Sequence, residues 1–443
     1  MRQICSLAVV LVISLVTSVE AAAGQQVDAA GQAGIALISA RLPGLRASET
    51  PPPSSGAVEP PAEVEQREWA GYGLKWSEWS RMTGDWDRLR TDLDAIGLSF
   101  EVATIADVSG MGTGSSGVQG LGRQLTNIGL AFDLEKIAGL RGGRVLVQHQ
   151  IMGGANGASL AAASQGFSNI DADAFRRFGE VWYEQQVGAR VRIKTGLVDA
   201  NKEFAFVDNG ADFLNPSMGF SPTIFPLPTY PDPHVGLVVH VAPTERTYAA
   251  AGLFNAGPTM GVADFRALFA MGELGLSWDK RGGGRVGIGY WRVGGRRGDG
   301  DADGDDVTLP VRTAGEYLVL DQTLWADDEH GTARSIGAFL QAGVADPSLS
   351  ATSSHIGGGV VARGLVARRP NDAFGAGVTA VRVASPTSDD AVGGSEVAFD
   401  AFYRFALTKW VALKPDLQVI RYPGGDAARP ALVAQTIRIE IGF

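Results

Sequence analysis

Over most of the chain, apolar and polar residues alternate with a period of two. The closing stretch sets Ile437, Ile439, Ile441 and Phe443 between Arg438, Glu440 and Gly442. A two-residue period sends successive side chains to opposite faces of a β-strand. From Leu98 onward such segments follow one another. They predict strands at 98–108, 124–135, 143–152, 176–186, 190–198, 234–243, 246–255 and 267–278. They continue at 284–294, 316–327, 335–344, 355–366, 373–384, 395–407, 410–421 and 431–443, sixteen in all. One helix is predicted ahead of them, over 86–95. Thr83 or Asp85 can cap it, Trp86, Leu89, Arg90 and Leu93 share one face, and Gly97 can end it.

The connectors say what the strands build. Long ones, such as 199–233, alternate with tight ones, such as Val187-Gly188-Ala189 and Leu407-Thr408-Lys409. Long loops on one side and tight turns on the other are the sidedness of an outer-membrane barrel. The segment lengths fit too, since a tilted strand needs about 9–11 residues to cross the hydrocarbon. Closure is obligatory there, because an open edge would leave amides without partners in lipid. A soluble sandwich has no reason to sort its loops, and a propeller would repeat a motif every 40–50 residues or so, which is not seen. The predicted fold is all-β: a 16-stranded antiparallel transmembrane β-barrel over 98–443, with a short N-terminal helix and a long constriction loop.

Polarity assigns the faces. In the last strand Ile437, Ile439, Ile441 and Phe443 look at lipid, and Arg438 and Glu440 at water. Residues 396–405 repeat this, with Val397, Phe399, Ala401, Tyr403 and Phe405 outside and Glu396, Asp400 and Arg404 inside. Lys414, Asp416 and Gln418 face inward, as do Asn127, Asp133 and Glu135, opposite Ile128, Leu130, Phe132 and Leu134. Charges of both signs imply a hydrated lumen, which sixteen strands are wide enough to enclose. An aromatic last residue on a lipid-facing strand suits recognition by barrel-assembly machinery.

Composition narrows the setting. Residues 1–23 read as a secretory signal peptide: Arg2, an apolar run from Ile4 to Val19, and the small residues Ala21 to Ala23. The sole cysteine, Cys5, lies within it, which excludes disulfides and thiolate chemistry from the remainder. Residues 24–66 are rich in Pro, Ala and Glu and read as a disordered lead-in, and 67–97 as a short helical plug segment. A net charge of −10 without a basic run argues against nucleic acid as a partner. None of the five histidines, at 149, 234, 240, 330 and 355, has a nucleophile motif beside it, so no enzyme is expected.

These residues resemble one family, the carbohydrate-selective outer-membrane porins of OprB type. Gly84-Asp85-Trp86, Leu89-Arg90, Leu93 and Gly97 match a pattern at that family's barrel entrance, although Asp87 and Arg88 replace the small residues usual there. Residues 127–143, 180–186 and 196–205 resemble further blocks, with Trp182, Tyr183, Glu184, Gln185, Asp199, Ala200, Asn201 and Phe204 in register, and the stretch to Leu237 resembles its long third loop. The likeness spans about Trp69 to Phe443. It implies passive, carbohydrate-selective diffusion of small sugars across the bacterial outer membrane, by a monomer or homotrimer. The residue pattern by itself also admits a general or weakly cation-preferring pore.

The 180–198 hairpin is the predicted sugar track, a reading that competes with a structural charge ladder holding the barrel wall. Phe178, Glu180, Trp182 and Glu184 share a face, as do Arg190, Arg192 and Lys194. A three-residue turn at 187–189 sets Glu184 across from Arg192 and Trp182 across from Lys194. Carboxylates and guanidinium groups exchange hydrogen bonds with hydroxyls, and a ring stacks on a sugar's C–H face. Asp199 and Asn201 open the third loop, and Arg90 is expected to meet lumen acids from the periplasmic mouth. Asp299, Asp301 and Asp303 copy the start of a calcium loop. Position twelve is Pro310 rather than Glu, so a calcium or lipopolysaccharide-bridging site competes there with a solvated acidic loop. The expected partners are small carbohydrates, outer-membrane lipid with lipopolysaccharide, and the assembly machinery.

Overall fold

The computed structural model describes residues 68–69, 72–113, 117–225, 227–256, 267–279, 283–300, 306–327, 334–347, 350–384 and 393–443. The predicted signal peptide and lead-in lie outside these residues. Sixteen strands close a barrel in which each pairs antiparallel with its chain neighbours. They are β1 (Leu98–Thr113), β2 (Gln119–Asp133), β3 (Gly143–Gly154), β4 (Phe175–Val187), β5 (Val191–Val198), β6 (His234–Val241), β7 (Thr247–Asn255) and β8 (Ala267–Trp278). There follow β9 (Gly284–Gly300), β10 (Asp306–Asp327), β11 (Arg334–Ala345), β12 (Thr352–Arg363), β13 (Ala373–Val383), β14 (Gly394–Ala406), β15 (Val411–Arg421) and β16 (Leu432–Gly442). The seam is β16 on β1, from Leu432↔Thr113 to Gly442↔Ala103.

The two faces separate as their polarity requires. Asp107, Arg438, Glu396, Asp400 and Gln418 are buried inside, whereas Val108, Phe399, Ile437 and Ile439 stand exposed on the outer wall. The lumen is not an open tube. Loop 2 (155–174) and loop 3 (199–233) fold into it and bond to the inner face. Loop 3 crosses to the far wall: the Ala205 amide donates to Glu273 of β8 (2.8 Å), Asn209 to Asp321 of β10 (3.0 Å) and Asn215 to Asp400 of β14 (2.9 Å). Its Phe213, Met218, Phe220 and Ile224 pack on Phe254, Phe269, Trp291, Phe339 and Phe402 of the wall. The inner face here is therefore not charged throughout: apolar residues stand among the carboxylates that hold the loop, because a loop rather than water covers them. Loop 2 hangs from Glu396, whose carboxylate accepts from the Ser164 and Gln165 amides (2.8 and 2.9 Å).

Several local expectations need correction. The first helix, α1, runs over Leu89–Ile96, later than expected, since Trp86, Asp87 and Arg88 hold positive φ (52°, 55° and 78°). Asp85 still accepts from the Thr91 amide (3.0 Å), and Gly97, at φ 96°, ends the helix. Strand β2 stops at Asp133, whose carboxylate caps a short helix α2 (Leu134–Ala138), so Leu134 and Glu135 are not strand residues. β9 and β10 run on through a stretch expected as loop, pairing as far as Gly300↔Asp306. The backbone of Asp299 therefore lies in a ladder opposite Val307, while Asp301 and Asp303 fall outside the described residues.

The segment before the barrel is fastened to the seam's periplasmic end. The Met82 amide donates to the Gly442 carbonyl (2.8 Å), and Trp76 packs on Trp410 at 4.5 Å between ring centroids.

Candidate functional site

The β4–β5 hairpin brings most of the expected track residues together, with a shifted register. The turn takes 188–190, so Glu184 faces Lys194 and Trp182 faces Gly196 rather than the expected Arg192 and Lys194. Parity is unchanged, and Glu180, Trp182, Glu184, Arg192 and Lys194 all point inward. A bulge opposite Gln148 and His149 turns Phe178 to the outer wall, where it meets His149 edge-on at 5.6 Å. Arg190 sits in the turn itself.

Loop 3 supplies the partner that joins these side chains. Glu203 accepts from Arg192 (2.6 Å) and from Lys194 (2.5 Å). Glu184 sits on the other side of the same pair, 3.0 Å from Arg192 and 3.4 Å from Lys194. Burial alone would raise the Glu203 carboxyl, but Lys194 and Arg192 outweigh it and hold it at about 2. Lys202 of loop 3 pairs with Glu180, which also accepts from the Trp182 indole (3.2 Å). Lys194 lies 4.2 Å from the centre of the Trp182 ring, a cation–π contact. Three acids and three bases thus form a strip of balanced charge.

Exposure divides the expected residues by role. Arg192, Glu184 and Lys202 keep 26%, 13% and 29% of their side chains open, enough to meet a solute. Glu180, at 4%, and Lys194, at 10%, back them. Asp199 and Asn201 are buried inside loop 3, where Asp199 accepts from the Thr229 hydroxyl (2.6 Å) and Asn201 donates to the Phe204 carbonyl (3.3 Å). Their side chains are thus enclosed by the loop itself. Arg90 does not reach the lumen acids. It donates to the Phe443 carbonyl (2.9 Å) and the Thr83 hydroxyl (3.2 Å), with its guanidinium 4.1 Å from the Trp86 ring centre.

The same wall continues through residues that sequence reasoning passed over. Arg192 pairs across the sheet with His240, which stacks on Tyr248 at 5.3 Å. The Tyr248 hydroxyl donates to Glu273 (2.6 Å) and accepts from Arg285 (2.8 Å), and Arg285 lies 3.8 Å from the centre of the Phe206 ring of loop 3. The signal existed: Tyr248, Glu273 and Arg285 are the polar members of alternating segments. A ribbon of acid, guanidinium and aromatic groups therefore runs from β4 to β9 beside the base of loop 3.

Residues 121–443, well over half the chain, match the model of the carbohydrate-selective porin, OprB family. The chain belongs to that family. OprB of Pseudomonas putida in its high-pH structure is similar in fold, with a TM-score of 0.73 and 20% identity over 84% of this chain and 100% of that one. Its low-pH structure gives a TM-score of 0.57 and 17% identity over 83% and 99%. No curated protein sequence matches. This OprB-family porin is thus a carbohydrate-selective diffusion channel of the bacterial outer membrane, and a channel rather than an enzyme.

Proposed function

We propose that sugars pass along the β4–β9 ribbon, between the wall groups Glu184 and Arg192 and the base of loop 3 at Lys202 and Phe206. The observation that carries this reading is the triangle of Arg192, Glu184 and Glu203. It fixes a partly open guanidinium, and the less open Glu184 carboxylate beside it, at the point where loop 3 leaves the wall. A neutral, hydroxyl-rich solute suits a strip whose charges balance. It exchanges hydrogen bonds with both signs, whereas an ion of either sign meets attraction and repulsion together. Tyr248 and Trp182 add aromatic surface for a C–H face. Loop 3 sets the constriction, since its buried core fills lumen space against Phe254, Phe269, Trp291, Phe339 and Phe402.

Liposome swelling tests the reading. Glucose, an amino acid of the same size and charged solutes are compared through wild type, Trp182→Ala and Arg192→Ala. We expect wild type to favour glucose and each variant to lose about 3–10-fold of that preference, the range for one lost stacking or charged hydrogen bond. Unchanged preference in both variants would place the path elsewhere.

A further inference from the structure

We propose that the outer wall from β8 to β14 is a seat for a phosphorylated glycolipid of the outer leaflet, of lipopolysaccharide type. A groove of about 1130 Å³ runs across this wall. Its lining includes the exposed Leu274, Ile288, Tyr290, Val344 and Ile356 of the outer face, beside strand neighbours Glu273, Tyr317 and His355 whose side chains bond inward, and no residue of loop 2 or loop 3, so the groove opens on lipid. The sheet register sets its upper edge. Tyr290, Glu316, Val344, Ser354 and Arg382 are successive partners around the barrel.

The height of that edge follows from the strand. On β10 the lipid face runs from Glu316, opposite Val344, down to exposed Trp325, opposite Ile336, eight ladder steps that include a bulge between Thr323 and Trp325. At about 3.3 Å per step and a tilt near 40° this spans roughly 20 Å, most of the ~25 Å apolar band of such barrels. The Glu316 row therefore lies where hydrocarbon gives way to headgroups on the extracellular side.

Among the described outward-facing residues at this edge, guanidiniums outnumber carboxylates. Arg292 and Arg312 stand exposed at diagonal positions on β9 and β10, just above the row, since Arg292 faces Ala314 and Arg312 faces Gly294. Arg382 and Arg421 stand exposed two strands apart on β13 and β15. Among the described residues none of the four forms an ion pair, and Glu316 is the acid among them. Unpaired guanidiniums at headgroup height repel one another and bind phosphate bidentately. The apolar groove directly below them accepts acyl chains. Phosphate above and hydrocarbon below is the layout of an outer-leaflet glycolipid, and the charge selects it over a neutral lipid.

The test uses the full-length porin purified in mild detergent. Purified lipopolysaccharide, intact or stripped of phosphate, is added, and retention is read by native mass spectrometry. Wild type should retain the intact lipid, and the combined Arg292→Gln, Arg312→Gln and Arg382→Gln variant about ten-fold less, as the loss of several charged contacts requires. Arg176→Gln, on the opposite outer wall, should retain it as wild type does. Sugar flux through the triple variant should match wild type, which shows that it folds and separates this proposal from the sugar path. Undiminished retention by the triple variant, or equal retention of the dephosphorylated lipid, overturns the proposal. If the triple variant instead loses self-association while holding lipid normally, the wall belongs to a second copy of the chain, and the proposal is again overturned.

Discussion

Arg192 of the barrel wall and Glu203 of loop 3 lie 2.6 Å apart, and Lys194 closes on the same carboxylate. This contact fastens the loop at its base and keeps the strip's charges in balance. In Glu203→Gln two bases would share Glu184 alone, and the strip would carry one excess positive charge. We expect the reversal potential in a salt gradient to move toward anions. We also expect loop 3 to loosen by about 1–3 kcal/mol, the cost of an unmet charged hydrogen bond. Planar-bilayer recordings check both, the second as added open-channel noise.

The same carboxyl gives a pH dependence of known sign. Its value falls from the usual 4.5 to about 2 on folding, so the folded state binds the proton less tightly. Its contribution, about 3 kcal/mol, is therefore present in full above pH 4.5 and lost as pH falls toward 2. Limited proteolysis across that range should find loop 3 protected at pH 5 and cleaved at pH 2.5, with Glu203→Gln cleaved at both. Equal protection of wild type at both pH values would count against the pair as the loop's anchor.

Glycines on the far wall leave room for the loop. A Cβ placed on Gly343 would meet Ser221 Oγ and Thr223 Oγ1, each at 2.3 Å. Both atoms belong to a buried hydroxyl pair, so neither can swing away at little cost. Gly343→Val should lift this end of loop 3 from β11, at about 1–3 kcal/mol for overpacking. Single-channel conductance should rise and sugar discrimination fall, with the barrel itself intact by circular dichroism.

Much of this architecture was legible in the chain. The alternation of Ile437, Arg438, Ile439 and Glu440 was enough to assign two faces, because lipid and water reward opposite residues at a period of two. Connector lengths then identified loop 3. What failed was local or long-range. Three successive positive-φ residues at Trp86 to Arg88 delay a helix that its face pattern started earlier, and the bulge beside Gln148 turns Phe178 outward; neither has a one-residue signature. The Glu203 pairing joins a loop to a wall, and no periodicity reports that. His240 was hidden because His234–Val241 is apolar on both faces, its inner side being covered by loop 3 rather than by water.

The clasp at the seam yields the last expectation. Arg90 is buried, with 4% of its surface open, and ties α1 to the Phe443 carbonyl while stacking on Trp86. Met82 bonds to Gly442 alongside it, so the segment before β1 grips the strand that closes the barrel. Removing the guanidinium leaves a carbonyl without its donor and a ring without its cation, at about 2–3 kcal/mol together. None of these atoms lies on the sugar ribbon. Arg90→Ala should therefore unfold at a lower temperature in gel-shift assays, with Trp86 fluorescence shifted to the red, while sugar flux through the folded fraction stays at the wild-type rate. A fall in flux at unchanged thermal stability would instead move α1 from the seam into the conduction path.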